Sequence, residues 1–421
     1  MSDFSVGFAG MTHLGLNSAA GAAEKGFDVV CFDPDPAHVS RLVRNELPIV
    51  EPQLPELLAK NASRVRFTAE PDELHRCALV YVAPDVPTDD SGASDLKPLV
   101  ALLDRVEPVL ASHAVAVILS QVPPGFTRRR QRAGSALYYQ VETLIFGRAI
   151  ERTLHPERFI IGCDDPARPL PDVLRRYLES YGCPILPMRF ESAELAKISI
   201  NMCLIASVGV ANMMAELCER VGADWNEIVP SLRLDRRIGQ HSYINAGLGL
   251  AGGNLERDVA TVCRLAAELG GDSGIAQAWL ANSAHRKLWP LRMLHAKVLA
   301  SREDPVIAIL GLAYKENTGS TKNSAAVALL RSLQPFRVRA YDPVVKADPA
   351  WHPHLTQHST ALEACDGSDA VCLMTPWPEF ASLPPDAVAK RMAGKLAIDP
   401  YRLLDGTRAA ASGLDHITLG K

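Results

Sequence analysis

Along the first half of the chain, short apolar runs alternate with stretches whose apolar residues recur every three or four positions. SVGFA, DVVCFD, ALVYVAP and AVAVILS are almost wholly apolar, which predicts strands covered on both faces. LNSAAGAAEKG and DLKPLVALLDRVEPVL lie between them with helical spacing. Such alternation predicts a parallel, doubly wound sheet. Near Glu191 the pattern changes. ESAELAKISINMCLIASVGVANMMAELCERVG has no proline and little glycine before its end, and reads as one long buried helix. More helix follows to about residue 300, broken by the glycine-rich segment from Gly247 to Gly253. A second alternating pattern begins at PVIAILGLAY and continues through FRVRAYDP, DAVCLMT and LAIDP. The order is therefore α/β, helical connector, α/β, without a short repeat.

Composition adds exclusions. The 421 residues are 48% hydrophobic and 22% charged, which is ordinary for a globular chain. A net charge of −4 gives no broad basic surface, so a nucleic-acid partner is not expected. Arg128, Arg129, Arg130 and Arg132 form the one basic cluster, either a solvated face or a phosphate contact. The N-terminus MSDFSVGFAG lacks the features of a secretory signal, and no apolar run is expected to cross a bilayer. Nine cysteines without a CxxC pair predict reduced, core-packing thiols and a cytoplasmic setting. No metal site is expected.

Candidate chemistry begins where the first strand ends. Gly10-Met11-Thr12-His13-Leu14-Gly15 opens a helix, and the next strand ends at Asp33. A glycine turn, a helix N-terminus for a pyrophosphate and an acid for the ribose 2′-hydroxyl make a dinucleotide site. Asp33 favours NAD, because it would repel a 2′-phosphate. Thr12 stands at the middle glycine position, where its side chain crowds the pyrophosphate or bonds it. The alternative is a similar sheet with an empty, vestigial site.

Many collinear segments resemble the UDP-glucose/GDP-mannose 6-dehydrogenases. They are LPIVEPQLPELL, VAPDVPTDDSGASDL, SQVPPGFT, RAIERTLHPERFIIG, ELAKISIN, RIGQHSYINAGLGLAGG, GLAYKENTGSTKNS and AYDPV. The resemblance spans nearly the whole chain. It implies two Rossmann-like doubly wound domains joined by a long central helix: an NAD domain at 1–190, a helical dimerisation domain at 191–300 and a nucleotide-sugar domain at 301–421. It also implies a homodimer, with the sugar near the nicotinamide.

Typical members oxidise sugar C6 twice, the second time through a cysteine thioester. The family segment GFGFGGSCFPKD matches Gly247 to Asp258 and puts Asn254 at the cysteine. An amide nitrogen is not a nucleophile. Family PEFLREG matches Val141 to Gly147, so its second glutamate becomes Phe146; its STVPPGT threonine becomes Gln121. Cys263 is the nearest downstream cysteine, too far along a helix to take over.

Other groups match. Lys197 and Asn201, four apart on the long helix, correspond to the family's lysine and asparagine, Glu142 to its first glutamate and Asp258 to its aspartate. The alternative for Lys197 with Glu142 and Asp258 is a structural ion-pair network. On the cofactor side the resemblance places Gly10, Thr12, Gly15, Asp33, Pro84 and Gln121. On the substrate side it places Phe146, Tyr243, Gly247, Gly249, Gly252, Lys315 and Lys322. The glycine loop is otherwise a flexible turn, and the two lysines otherwise solvated.

The expectation is an NAD-dependent nucleotide-sugar oxidoreductase, a UDP-sugar favoured, running a redox-neutral cycle such as epimerisation at C4 or C5. Three alternatives stand beside it: a single oxidation releasing an aldehyde or ketone with NADH, a non-catalytic nucleotide-sugar-binding protein, and a standard 6-dehydrogenase with a relocated nucleophile.

Overall fold

Fourteen strands gather into two sheets in the computed structural model, which describes residues 4–87, 89, 94–132 and 134–421. Residues 88 and 90–93 of VAPDVPTDDSGASDL lie outside the described residues. The chain divides into two compact units, Met1–Ile200 and Asn201–Lys421.

The first unit carries β1 (Ser5–Ala9), β2 (Asp28–Phe32), β3 (Val65–Thr68), β4 (Cys77–Val82), β5 (Val115–Ile118), β6 (Leu137–Gln140), β7 (Phe159–Cys163) and β8 (Ile185–Arg189). Their order is β3-β2-β1-β4-β5-β6-β7-β8. Sequence order reverses between β1 and β4, the switch point where doubly wound sheets bind ligands at the strands' carboxyl ends. The expected all-parallel sheet needs one correction: β6 and β7 are antiparallel. The connection, residues 141–158, carries one small helix at Ala149–Leu154.

The first helix, α1 (His13–Glu24), follows β1 directly. Its alanines favour helix and are small enough for close approach to the sheet. Ala19, Ala20, Ala22 and Ala23 are buried in the core together with Phe8, Leu79 and Val117.

The second unit carries β9 (Val306–Leu310), β10 (Arg337–Tyr341), β11 (Leu355–Gln357), β12 (Ala370–Leu373), β13 (Leu396–Asp399) and β14 (Asp415–Thr418). All pair in parallel, in the order β11-β10-β9-β12-β13-β14. Ile307, Ile309, Val371 and Ile398 lie in its core.

The long helix runs from Phe190 to Val221. Two expectations about it are corrected. It is not wholly buried: Val210, Met213, Leu217 and Val221 are 52%, 50%, 47% and 74% exposed. By length and composition it is also apolar enough to cross a bilayer. Its charged residues sit near the ends, leaving an apolar middle whose pattern is the same as that of a core helix. Among the cysteines, Cys203 is exposed rather than packed in a core. Three arginines of the basic cluster are paired. Arg128 meets Asp164 and Glu191, Arg130 meets Asp104 and Glu107, and Arg132 reaches Glu107.

Candidate functional site

The dinucleotide turn is built from glycines that cannot be replaced cheaply. Gly10 has φ +92°, and a Cβ there would meet the Pro84 nitrogen at 2.8 Å. A Cβ on Gly15 would stand 1.9 Å from the Gly10 carbonyl oxygen. The turn therefore brings α1 against the ends of β1 and β4 with no room for side chains. This cradle, with the N–H groups of α1 behind it, fits a pyrophosphate.

Asp33 lies at the end of β2, buried. Its Oδ2 accepts the Met11 N–H at 2.9 Å and its Oδ1 accepts the Asp35 N–H at 3.1 Å. Each carboxylate oxygen keeps a second lone pair for a ribose hydroxyl. Thr12, at the N-cap of α1, does not cap its own helix. Its hydroxyl oxygen accepts the Asp85 N–H at 2.8 Å. The carboxylate of Asp85 in turn accepts the His13 N–H at 2.9 Å. Close packing of protein around Asp85 raises its pKa; the His13 imidazole opposes that shift and Glu142 adds to it.

Sequence reading missed His13 as a side chain and Glu51 altogether. His13 Nε2 lies 2.8 Å from Glu51 Oε2, both groups buried. Glu51 also accepts the N–H groups of Gly147 and Ala149, at 3.0 and 2.9 Å. The His13 ring stacks on Phe146 with centroids 4.0 Å apart. The cofactor turn is thus tied to the loop that carries Glu142. An acid inside the otherwise apolar LPIVEPQL was the one available signal.

Within that loop Glu142 Oε2 accepts the Leu144 N–H at 3.0 Å, and Oε1 lies 2.8 Å from Lys197 Nζ. Lys197 is buried on the long helix. Gln121 follows β5, next to Ser120, whose hydroxyl donates to the Pro84 carbonyl.

The second unit holds the remaining candidates. Asn201 donates its amide N–H to Asp258, which is buried on the helix Asn254–Leu269. Arg257 Nε lies 3.4 Å from the same carboxylate. Asn254 is the first residue of that helix and is exposed. Cys263 lies on the same helix, nine residues further on and partly buried.

The glycine loop is fastened, not free. Gly247 N–H donates to Asn212 at 2.8 Å and Leu250 N–H to the Ser283 hydroxyl oxygen at 2.8 Å. Gly252 N–H donates to the Lys322 carbonyl at 3.0 Å, and Asn323 returns an amide N–H to the Gly252 carbonyl at 2.9 Å. Gly249 packs against Ser283. The network joins the glycine loop to the segment carrying Lys315 and Lys322. Lys315 lies over the Tyr314 ring, 5.8 Å from its centroid. Tyr243 is exposed.

Asp342, which sequence reading also missed, repeats the role of Asp33. It ends β10 and accepts the N–H groups of Leu312 and Ala313 at 2.7 and 3.1 Å. The Trp377 indole donates to it at 3.2 Å. The recurrence of a strand-end acid in AYDPV was its sequence signal.

Three domains of the UDP-glucose/GDP-mannose dehydrogenase family match: its NAD binding domain at residues 4–177, its central domain at 191–283 and its UDP binding domain at 308–406. A UDP-glucose 6-dehydrogenase of Pseudomonas aeruginosa is 31% identical, covering 98% of this chain and 96% of that protein. One of Rickettsia bellii is 27% identical, covering 99% of each. Among solved structures, a UDP-glucose dehydrogenase from Pyrobaculum islandicum is similar with TM-score 0.82 and 26% identity, covering 96% of this chain and 98% of that one. A UDP-D-ManNAc dehydrogenase from Pyrococcus horikoshii shares the fold, with TM-score 0.84, 22% identity and 99% of each chain covered.

Proposed function

Because the chain belongs to the UDP-glucose/GDP-mannose dehydrogenase family, whose members are NAD-dependent nucleotide-sugar dehydrogenases, we propose that it oxidises C6 of a UDP-linked sugar, UDP-glucose in the first instance. The observation that carries this reading is the whole-length likeness to a protein named for that reaction.

That likeness corrects the sequence reading. Asn254, Phe146 and Gln121 led to an expected redox-neutral cycle such as epimerisation. Relatives named UDP-glucose 6-dehydrogenase overturn it, and the ordinary C6 oxidation replaces it. The resemblance matches Asn254 to the family's cysteine, and on that match this reading has the acid level reached by water. Water adds to the C6 aldehyde, and the hydrate carbon then gives up a second hydride. Each sugar consumes one water and two NAD in this scheme.

Gly10, Thr12, Gly15, Pro84 and Gln121 surround the cofactor in this reading, with Asp33 on the adenosine ribose. NAD, when bound, accepts the hydride. The chain's own part is to handle the proton. Lys197, with an ammonium proton passed to Glu142 across their 2.8 Å contact, takes the proton of the C6 hydroxyl. In the second unit Gly247, Gly249 and Gly252 offer backbone to the nucleotide sugar, with Lys315 and Lys322 as its cations and Tyr243 as its aromatic contact; in the first unit the resemblance assigns Phe146 to the substrate. Asn201 and Asp258 form the polar pair supporting the reaction.

Incubation of purified protein with UDP-glucose or GDP-mannose and excess NAD tests the reading. UDP-glucose is expected to give two NADH per sugar and a uronate by mass spectrometry. One NADH per sugar, or none, overturns it.

The division at 1–190, 191–300 and 301–421 belongs to the same reading and is supported by the intervals of the three family domains. So does a homodimer. Val210, Met213, Leu217 and Val221 recur at helical spacing, forming an exposed apolar stripe suited to a second copy. Met213→Glu with Leu217→Glu is expected to convert a dimer into a monomer in sedimentation at micromolar concentration. A monomeric parent protein would refute the dimer. Nine unpaired cysteines support a reducing, cytoplasmic setting, and the net charge of −4 supports a protein without nucleic-acid partners. No membrane role is part of this reading.

A further inference from the structure

The N–H groups at the start of α1 are the donors that a dinucleotide pyrophosphate needs. In this structure one of them already has an anionic partner from the protein. The His13 N–H donates to Asp85 Oδ2 at 2.9 Å, and the Asp85 backbone N–H is fastened to the Thr12 hydroxyl at 2.8 Å. Asp85 follows the end of β4, at the switch point, 72 residues from His13 in sequence. The residue is open to solvent on one side although protein packs closely around its carboxylate, so its side chain can leave without opening a core.

We propose that Asp85 sets cofactor affinity by occupying the pyrophosphate's place at the N-terminus of α1, so that NAD binds only as this carboxylate is displaced or protonated. The proposal rests on the assignment of this turn to NAD. It concerns a residue that the dinucleotide motif does not contain.

The surroundings decide the sign. Asp85 faces the N-terminal end of α1 and the His13 imidazole, which favour its charge. Glu142, from the loop after β6, disfavours it, and Thr12 holds its backbone. Glu51 pairs with the far nitrogen of the same imidazole and Asp33 holds Met11, so neither competes for the His13 N–H. A diphosphate arriving beside an ionised Asp85 adds like charge, whereas a protonated Asp85 can donate a hydrogen bond to it. Binding of NAD is therefore coupled to proton uptake. Affinity is highest at low pH and falls as pH rises through the titration of Asp85, whose pKa is raised above the ordinary aspartate value.

Isothermal titration of the full chain with NAD, ADP-ribose and adenosine between pH 5 and 8.5 tests this. At pH 8, Asp85→Asn is expected to bind NAD and ADP-ribose roughly tenfold tighter than the parent, the worth of one charge-assisted hydrogen bond. Its affinity should be flat with pH, while that of the parent declines. Adenosine, which has no phosphate, should bind both proteins alike. Asp85→Gly is expected to behave like Asp85→Asn, which separates loss of charge from any new amide contact. An Asp85→Asn protein that binds NAD no tighter than the parent overturns the proposal and leaves the NAD site standing. An equal gain for adenosine overturns it too. Failure of both proteins to bind NAD or ADP-ribose overturns the assignment of the turn itself.

Discussion

Lys197→Ala is expected to lower kcat for NAD reduction by about 10³-fold, the worth of one well-placed proton-transfer group. NAD affinity should change little, because Lys197 lies on the long helix and outside the turn at Gly10–Gly15. The variant has a second effect. Glu142 loses its cation while remaining largely shielded from water, with side-chain exposure of 15%. Removing one partner of such a pair costs about 3 kcal/mol, less whatever solvent reaches the carboxylate. Lys197→Arg separates the two roles. It keeps a charge beside Glu142 and so restores melting temperature, but a guanidinium does not give up a proton in this pH range. Activity should stay low. Full activity in Lys197→Ala removes this lysine from the reaction, and restored activity in Lys197→Arg removes proton transfer from its role.

Gly15→Ala carries the largest expected structural effect. Its Cβ would meet the Gly10 carbonyl oxygen at 1.9 Å, and both atoms belong to backbone fixed by β1 and α1. No side chain can yield. The expected cost is about 3 kcal/mol, as for severe overpacking. For a unit of some 200 residues that is a fall in melting temperature on the order of 10 °C. NAD affinity should drop at least ~100-fold, since a shift of even 1 Å in the turn moves the N–H donors away from the pyrophosphate. Gly26→Ala is the control. Gly26 has φ +92°, but a Cβ there would meet nothing within 4 Å, so the change should cost only about 1 kcal/mol and spare NAD binding. A Gly15→Ala protein that melts like its parent contradicts the packing described for the turn.

The two variants touch features of different legibility. Gly15 was visible in the sequence because close approach of a helix to a strand demands a residue without Cβ. Lys197 was visible only through resemblance. Nothing in the spacing of ELAKISIN distinguishes a catalytic lysine from a paired one, and its contact with Glu142 closes over 55 residues. Asn254 shows the opposite error. A conclusion about the whole reaction was drawn from its match to one family position, and the likeness of the full chain to a 6-dehydrogenase outweighs that match.

What the sequence determined by itself is local. Alternating apolar runs gave away the order of strands and helices, and the turn from Gly10 to Gly15 indicated where a dinucleotide would bind. The stretch beginning at Glu191 fixed a helix observed at Phe190–Val221. These follow from backbone dihedrals and side-chain period over a few residues. Which distant polar groups meet depended instead on the packing of the whole chain. Glu51 reaches under His13 and the N–H groups of Gly147 and Ala149, and Asp85 sits on the N-terminus of α1. The same holds for the antiparallel pairing of β6 with β7. Such meetings depend on how whole elements pack, and a buried donor or acceptor is satisfied by whatever that packing brings within about 3 Å.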